Sequence, residues 1–214
     1  MDEDITVINT TTRNEKIINF FIKNKKKLEI LLSLIILMIL SYFAYGEFDK
    51  RSKIKIANKY NNSIINFISG DKLNVESEMI KIINAKDKTY SPLALYFLLD
   101  NNVINSKEKI NSLFDILINE TKVDKEINNL IIYKKALYNS EFETENNLLK
   151  ILNPVINSES IWKSHGLYLM AEYFLSKNEK QKSKEFFEKI LILENSNPQI
   201  KLEAQKRIQR DFSE

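Results

Sequence analysis

The chain contains no cysteine, three glycines, three prolines and one histidine among its 214 residues. Without cysteine it cannot form disulfide bonds, cysteine-ligated zinc sites, iron–sulfur clusters or a catalytic thiolate. Glycine and proline supply most hairpin turns, so a many-stranded sandwich or barrel would lack the residues for its corners. The sequence, which is rich in Lys, Ile and Asn, therefore predicts an all-α protein.

Residues for catalysis are equally scarce. The single histidine, His165, leaves no second imidazole for a metal site or a catalytic triad, and we interpret it as a structural residue packed near Trp162. The glycines stand alone at positions 46, 70 and 166, so no glycine-rich phosphate loop exists. We expect no enzyme activity, no catalytic, cofactor or metal site and no small-molecule substrate.

The charge is balanced, with 32 basic and 29 acidic side chains and a net charge of +3. A nucleic-acid-binding surface concentrates basic residues far more strongly than this. The composition indicates a mixed, hydrated surface, and we expect no nucleic-acid partner.

One long hydrophobic run dominates the N-terminal quarter. Residues 30–45 read ILLSLIILMILSYFAY without a charge, and with Leu28 and Phe48 as flanks the stretch reaches 21 residues. At about 1.5 Å per residue it is as long as a hydrocarbon core is thick, about 30 Å. Tyr42, Phe43 and Tyr45 lie at its far end, where aromatic rings favour a membrane interface. The run predicts a single-pass transmembrane helix at residues 28–48.

Two alternatives remain for this run. The first is a buried helix of a soluble protein, although a run this apolar on all sides, preceded by three lysines, is unusual for one. Ala44, Tyr45 and Gly46 form a small-x-small triplet at which a signal peptide could be cleaved, although the core and the preceding segment exceed the usual dimensions of one. Basic residues flank the run almost equally on both sides, so their count does not settle the orientation.

The segment before the run divides in two, and we interpret residues 1–27 as a partly disordered cytoplasmic tail. Residues 1–12 have little to bury and are predicted to be disordered. Residues 14–24 alternate Ile and Phe with Lys and Asn before the run KNKKK. They form either an amphipathic stretch for an anionic membrane surface or a simple helical lead-in.

Residues 49–214 are predicted to form a domain of helices joined by short polar breaks, because apolar residues recur at steps of three and four. A first helix ends near residue 68, and a second starts near Lys72 and ends before a break at 87–91. The later helices are predicted at 91–100, 106–119, 124–140, 144–156, 160–177, 180–193 and 199–211.

Helix pairs at a spacing near 34 residues are typical of tetratricopeptide repeats, in which small residues lie where the two helices touch. Residues 164–197 fit this pattern, with Ala171 and Ser183 as the small residues, twelve positions apart. A looser copy begins near Thr89 with Ala94 and Ser106, and residues 129–157 look like a decayed third copy. A generic helical bundle is the alternative.

A resemblance to a known family rests on short motifs in a fixed order. Phe20, Phe21, Asn24, Lys26 and Leu28, just before a single span, resemble the start of the ancillary Sec-translocon subunit family (YfgM-like proteins). Further similar positions are Ala57 with Tyr60, and the string Trp162, Ala171, Glu172, Leu175, Ser176, Lys177, Asn178 and Glu179. The chain departs from the family in replacing its abundant Ala and Gly by Ile, Asn and Lys.

The resemblance implies a bacterial inner-membrane protein with its N-terminus in the cytoplasm and a tetratricopeptide-like domain in the periplasm. Its implied function is that of an interaction scaffold that links the Sec translocon to periplasmic chaperones. The alternative is a structural or assembly subunit of a cell-envelope complex, bound mainly through its transmembrane helix. Grooves of such domains are lined by first helices, so the candidate partner-binding residues are Tyr96, Lys163, Tyr168 and Tyr173. The alternative for each tyrosine is that it covers the core.

Overall fold

A computed structural model describes the backbone of residues 2–212 and the side chains of the same range apart from 2–14, 17, 72 and 73. Within these residues the fold is all-helical, with nine helices and no strand. The helices are α1 Asp2–Ile68, α2 Lys72–Asn84, α3 Tyr90–Asp100, α4 Lys107–Glu120, α5 Lys125–Asn139, α6 Glu145–Ile156, α7 Lys163–Ser176, α8 Lys180–Ile192 and α9 Pro198–Asp211.

The chain divides into two compact units, Met1–Lys55 and Ile56–Glu214. In the first unit the described backbone belongs entirely to α1, and none of the described side chains of residues 15–48 is buried. The second unit contains the last turns of α1 and all of α2 to α9.

Short polar side chains start several of the helices. Ser106 Oγ accepts a hydrogen bond from the backbone N–H of Lys109 at 3.2 Å, and Asn197 Oδ1 accepts one from Gln199 N at 3.0 Å. Such caps satisfy backbone donors that have no partner within the helix. Gly70, with φ 96°, follows the end of α1, and Asn178, with φ 61°, follows the end of α7. Both adopt the left-handed conformation that commonly terminates helices.

The core of the second unit consists of three apolar clusters. The first joins α2, α3 and α4 around Phe114 and receives Tyr60 and Phe67 from the end of α1. The second joins α5, α6 and α7 around Phe174, and the third joins α7, α8 and α9 around Phe187. Consecutive helices therefore bury one another's apolar faces along the chain.

The predicted all-α class is confirmed, and most predicted helices agree with the structure within one to three residues. The helix predicted at 106–119 is Lys107–Glu120, and the one predicted at 160–177 is Lys163–Ser176. The backbone of α1 includes residues 2–12, whose side chains lie outside the described residues, and the disorder expected there stays a prediction. The boundaries at 28, 48 and 49 depend on where a membrane lies and also stay predictions.

Candidate interaction groove and membrane segment

An apolar groove of about 350 Å³ lies between α3 and α5. Residues of both helices line it, together with two residues just before the start of each helix. The lining residues are Lys88, Thr89, Pro92, Leu93, Tyr96, Val123, Asp124, Ile127 and Leu130. Leu93 is 41% exposed and Ile127 is 42% exposed, so the groove presents apolar side chains to solvent.

Tyr96 carries an unsatisfied polar group in this groove. Its hydroxyl is buried without a hydrogen-bond partner among the described residues, and burial raises the pKa of Tyr96. The ammonium of Lys134 on α5 lies 4.5 Å from the centre of the Tyr96 ring, a cation–π distance that connects the two helices. A buried hydroxyl without a partner is uncommon, because it has lost water without gaining another hydrogen bond.

The polar residues at the groove are not engaged in capping. Thr89 and Asp124 occupy the N-cap positions of α3 and α5, yet neither side chain makes the capping hydrogen bond. At the start of α3 the carboxylate of Asp87 serves instead, accepting from Thr89 N at 2.9 Å and Tyr90 N at 2.8 Å. With Lys88, the groove therefore offers both donors and acceptors beside an apolar floor, which suits a peptide segment.

Of the four candidate partner-binding residues, Tyr96 lines this groove and the other three do not. Lys163 lines a different, smaller depression of about 250 Å³, and its ammonium lies 4.0 Å from Glu159. Tyr168 packs edge-on against Phe187, with 5.5 Å between ring centres. Tyr173 is 7% exposed, and its hydroxyl donates to the backbone oxygen of Glu143 at 3.1 Å. The structure therefore does not gather the four into one surface, and their role in binding stays a prediction.

Sequence reasoning did not select Pro92, Leu93 or Ile127 as groove residues. A signal was present in α3, whose sequence YSPLALYFLLD has no charged residue before Asp100. A helix with apolar residues on several faces has more apolar surface than one core contact can bury. The apolar side chains of α3 that the core does not bury, such as Leu93, line the groove.

The environment of His165 is aromatic. Its ring centre lies 4.9 Å from that of Trp162 and 5.8 Å from that of Tyr133, and these two rings stack on each other at 5.9 Å. Nδ1 of His165 is buried without a hydrogen-bond partner in the described part of the chain. Desolvation lowers the pKa of His165, against a smaller opposing contribution from a backbone hydrogen bond with Ile161. The described residues contain no group of three His, Asp or Glu side chains that could hold a metal ion.

Within the described residues, one helix is long and apolar enough to cross a membrane. It is α1, and none of its most apolar stretch is buried. The exposed fraction is 62% for Ile30, 64% for Leu37 and 68% for Phe43.

Comparison of the chain with protein-family models, with curated proteins and with solved structures found no match. The fold and its surfaces thus define an all-helical protein with one N-terminal helix of membrane-spanning character.

Proposed function

We propose that the chain is a membrane-anchored protein–protein interaction scaffold without catalytic activity. In this proposal residues 28–48 cross the bacterial inner membrane once, with the N-terminus in the cytoplasm. The helical unit then lies in the periplasm and holds a partner in the groove between α3 and α5. The observation that carries the proposal is the presence, in one chain, of an uncovered apolar helix and a helical unit with an exposed apolar groove.

The membrane anchor is supported by the unfavourable free energy of exposing this apolar run to water. The large apolar and aromatic side chains of residues 30–43 are 45% to 76% exposed, and water would have to hydrate all of them. Burying apolar surface is worth roughly 25 cal/mol per Å², so a stretch of this size strongly favours a hydrocarbon environment.

A tetratricopeptide-like arrangement of the helical unit is supported by the contact between α7 and α8. Ala171 and Ser183, the small residues twelve positions apart, are both fully buried. The hydroxyl of Ser183 donates to the backbone oxygen of Ala171 at 2.8 Å. Such a bond requires the two helices to approach closely at this point. Phe174 and Phe187 pack in the core on either side, as the repeat pattern requires.

The groove suits a partner segment with apolar side chains. Leu93 and Ile127 offer apolar contact, and Lys88 and Asp124, which also line the groove, offer polar contact. We propose the Sec translocon and periplasmic chaperones as the partners, on the strength of the family resemblance.

The proposal is tested by replacing the two exposed groove residues in the full chain, Leu93→Asp with Ile127→Asp. The matched control is Leu137→Asp with Leu202→Asp, since these leucines are 47% and 46% exposed and lie outside the groove. The measurement is copurification of translocon subunits and chaperones from solubilised bacterial inner membranes. We expect about a tenfold loss of partner for the groove variant, or about 1.4 kcal/mol, and no loss for the control.

Equal partner recovery with both folded variants would exclude the groove as the binding site. A photo-crosslinking residue at position 93 should give adducts with the same partners, whereas one at Ile192, which is 81% exposed and outside the groove, should not.

The exposed apolar surface of residues 28–48 favours a second function, that of an assembly subunit held through its membrane helix. The two functions differ in one result. Exchange of residues 28–48 for an unrelated apolar span should abolish association in the second case and preserve groove-dependent association in the first.

A further inference from the structure

Four lysines surround the start of the proposed membrane span. We call Lys23, Lys25, Lys26 and Lys27 the lysine collar, and all four side chains are exposed on α1. At about 1.5 Å per residue, the whole collar lies within about 7.5 Å of Leu28 along the helix axis. That is within one Debye length at physiological ionic strength, about 8 Å, so charges at the membrane surface would be felt by every member.

The collar is little neutralised by its surroundings. Among the described side chains its one ion pair joins Lys25 to Glu29, with 3.9 Å between Nζ and Oε1. At the far end of the span the basic residues have closer partners. Arg51 Nε lies 2.7 Å from Glu47 Oε1, and Lys53 Nζ lies 2.5 Å from Asp49 Oδ2. The two ends of the span, similar in their number of basic residues, therefore differ in available positive charge.

Three of the four collar lysines share one side of the helix. At about 100° per residue, Lys23, Lys26 and Lys27 fall within an arc of about 100°. Phe21, Leu28 and Leu32 fall on the opposite side, within an arc of about 40°, and line one surface depression together with Lys25, the fourth collar lysine, and Glu29. The apolar side of the span thus extends beyond Leu28 to Phe21, which is 56% exposed. Exposed apolar side chains beside basic ones are typical of helices that bind at the boundary of headgroups and acyl chains.

We propose that the lysine collar binds anionic phospholipid headgroups in the leaflet at the N-terminal end of the span. Phe21 and Leu28 contact the acyl boundary, and the ammonium groups contact lipid phosphates. This inference rests on the proposed membrane insertion of residues 28–48, and adds to it a lipid class and the residues that select it.

The test uses the full chain in neutral detergent with equimolar phosphatidylglycerol and phosphatidylcholine of identical acyl chains. Native mass spectrometry measures which lipid stays bound. The collar variant replaces Lys23, Lys25, Lys26 and Lys27 by Gln, and the matched variant replaces Lys50, Arg51, Lys53 and Lys55 by Gln. Four charges are lost in each variant, and Gln retains the helix propensity of Lys.

We expect the unaltered chain and the matched variant to hold about tenfold more phosphatidylglycerol than phosphatidylcholine, and the collar variant to hold the two nearly equally. Raising the ammonium acetate concentration tenfold before measurement should reduce the preference of the unaltered chain. A preference that survives in the collar variant, or that is lost equally in the matched variant, overturns the proposal.

Flotation with vesicles of pure phosphatidylcholine separates this inference from the anchor on which it rests. A chain that floats with these vesicles but shows no lipid preference retains its anchor, and the collar proposal alone fails. A chain that does not float lacks the membrane anchor, and both proposals fail.

Discussion

His165 shows how a single partly buried ring can couple the stability of this protein to pH. Desolvation among aromatic neighbours lowers the pKa of His165, so the folded state binds this proton less readily than the unfolded state. Stability from the neutral ring is complete above the unfolded pKa of about 6.5, and is lost as the pH falls toward the lower folded pKa.

We therefore predict that the full chain in neutral detergent melts at a lower temperature at pH 5.5 than at pH 7.5. His165→Phe, which keeps an aromatic ring but does not titrate, should reduce this difference. The measurement is thermal denaturation followed by circular dichroism at both pH values. Asp211 and Glu78 stay ionised in this window, since hydrogen bonding from Arg210 lowers the pKa of Asp211 to about 2 and a bond from Lys81 lowers that of Glu78.

A pH effect that is the same in His165→Phe would assign the dependence to other groups. The sole tryptophan, Trp162, supplies an independent reading because its ring contacts His165. Its fluorescence should titrate with a midpoint below 6.5 in the folded chain and lose that step in the variant.

The two candidate tyrosines of α7 show which property of a residue the sequence does not predict. Tyr168 and Tyr173 are candidates for partner binding because first helices line grooves, but Tyr173 is buried and Tyr168 packs on Phe187. Periodicity identifies an apolar face, yet α7 contacts α5, α6, α8 and α9. With neighbours on several sides, most of its residues are buried or only partly exposed, and the sequence alone does not show which ring remains accessible.

At the scale of helices, the pair α7 and α8 is the best defined by sequence. Three residues, 177–179, connect the two helices, and Asn178 takes the left-handed conformation. A connection this short fixes the register of the pair, so the small residues at 171 and 183 meet as their spacing predicts. The pair α3 and α4 has a longer connection at residues 101–106, and there Ser106 caps α4 and is exposed, whereas Ser183 is buried. A spacing of twelve residues between two small side chains therefore predicts their contact only when the turn between the helices is short.

We predict that Ala171→Leu destabilises the helical unit by about 1–3 kcal/mol, because the larger side chain must enter a fully packed contact. The site has no spare room, since Ala171 and Ser183 are both fully buried and hydrogen bonded to each other. The measurement is chemical denaturation of the full chain in neutral detergent. Glu188→Leu, at an exposed position of α8, adds the same side chain without overpacking and should leave the free energy of unfolding nearly unchanged. Equal stability of the two variants would contradict the close contact at position 171.

At the scale of the whole molecule, the sequence predicted the fold class, the limits of α2 to α9 within one to three residues and the apolar run, because each is a local property of composition or period. The groove between α3 and α5 was not predicted, since its walls come from residues about 35 positions apart, such as Leu93 and Ile127. Its existence depends on how two helices are placed by the helices around them. The difference in charge neutralisation at the two ends of the span likewise follows from side-chain distances and not from residue counts.

The orientation of the chain in the membrane is the prediction that joins these scales. Cytoplasmic leaflets carry anionic lipids and retain flanking lysines, so the lysine collar should hold the N-terminus on the cytoplasmic side. With an epitope at each end of the full chain in a bacterial inner membrane, protease added to spheroplasts should remove the C-terminal epitope. The N-terminal epitope should survive on a fragment that includes residues 28–48.

Loss of the N-terminal epitope alone would show the opposite orientation, and its absence before protease treatment would show cleavage near Gly46. Replacing the four collar lysines by Gln should increase the inverted fraction, whereas replacing the four basic residues after the span should not, because they lie on the side that crosses the membrane.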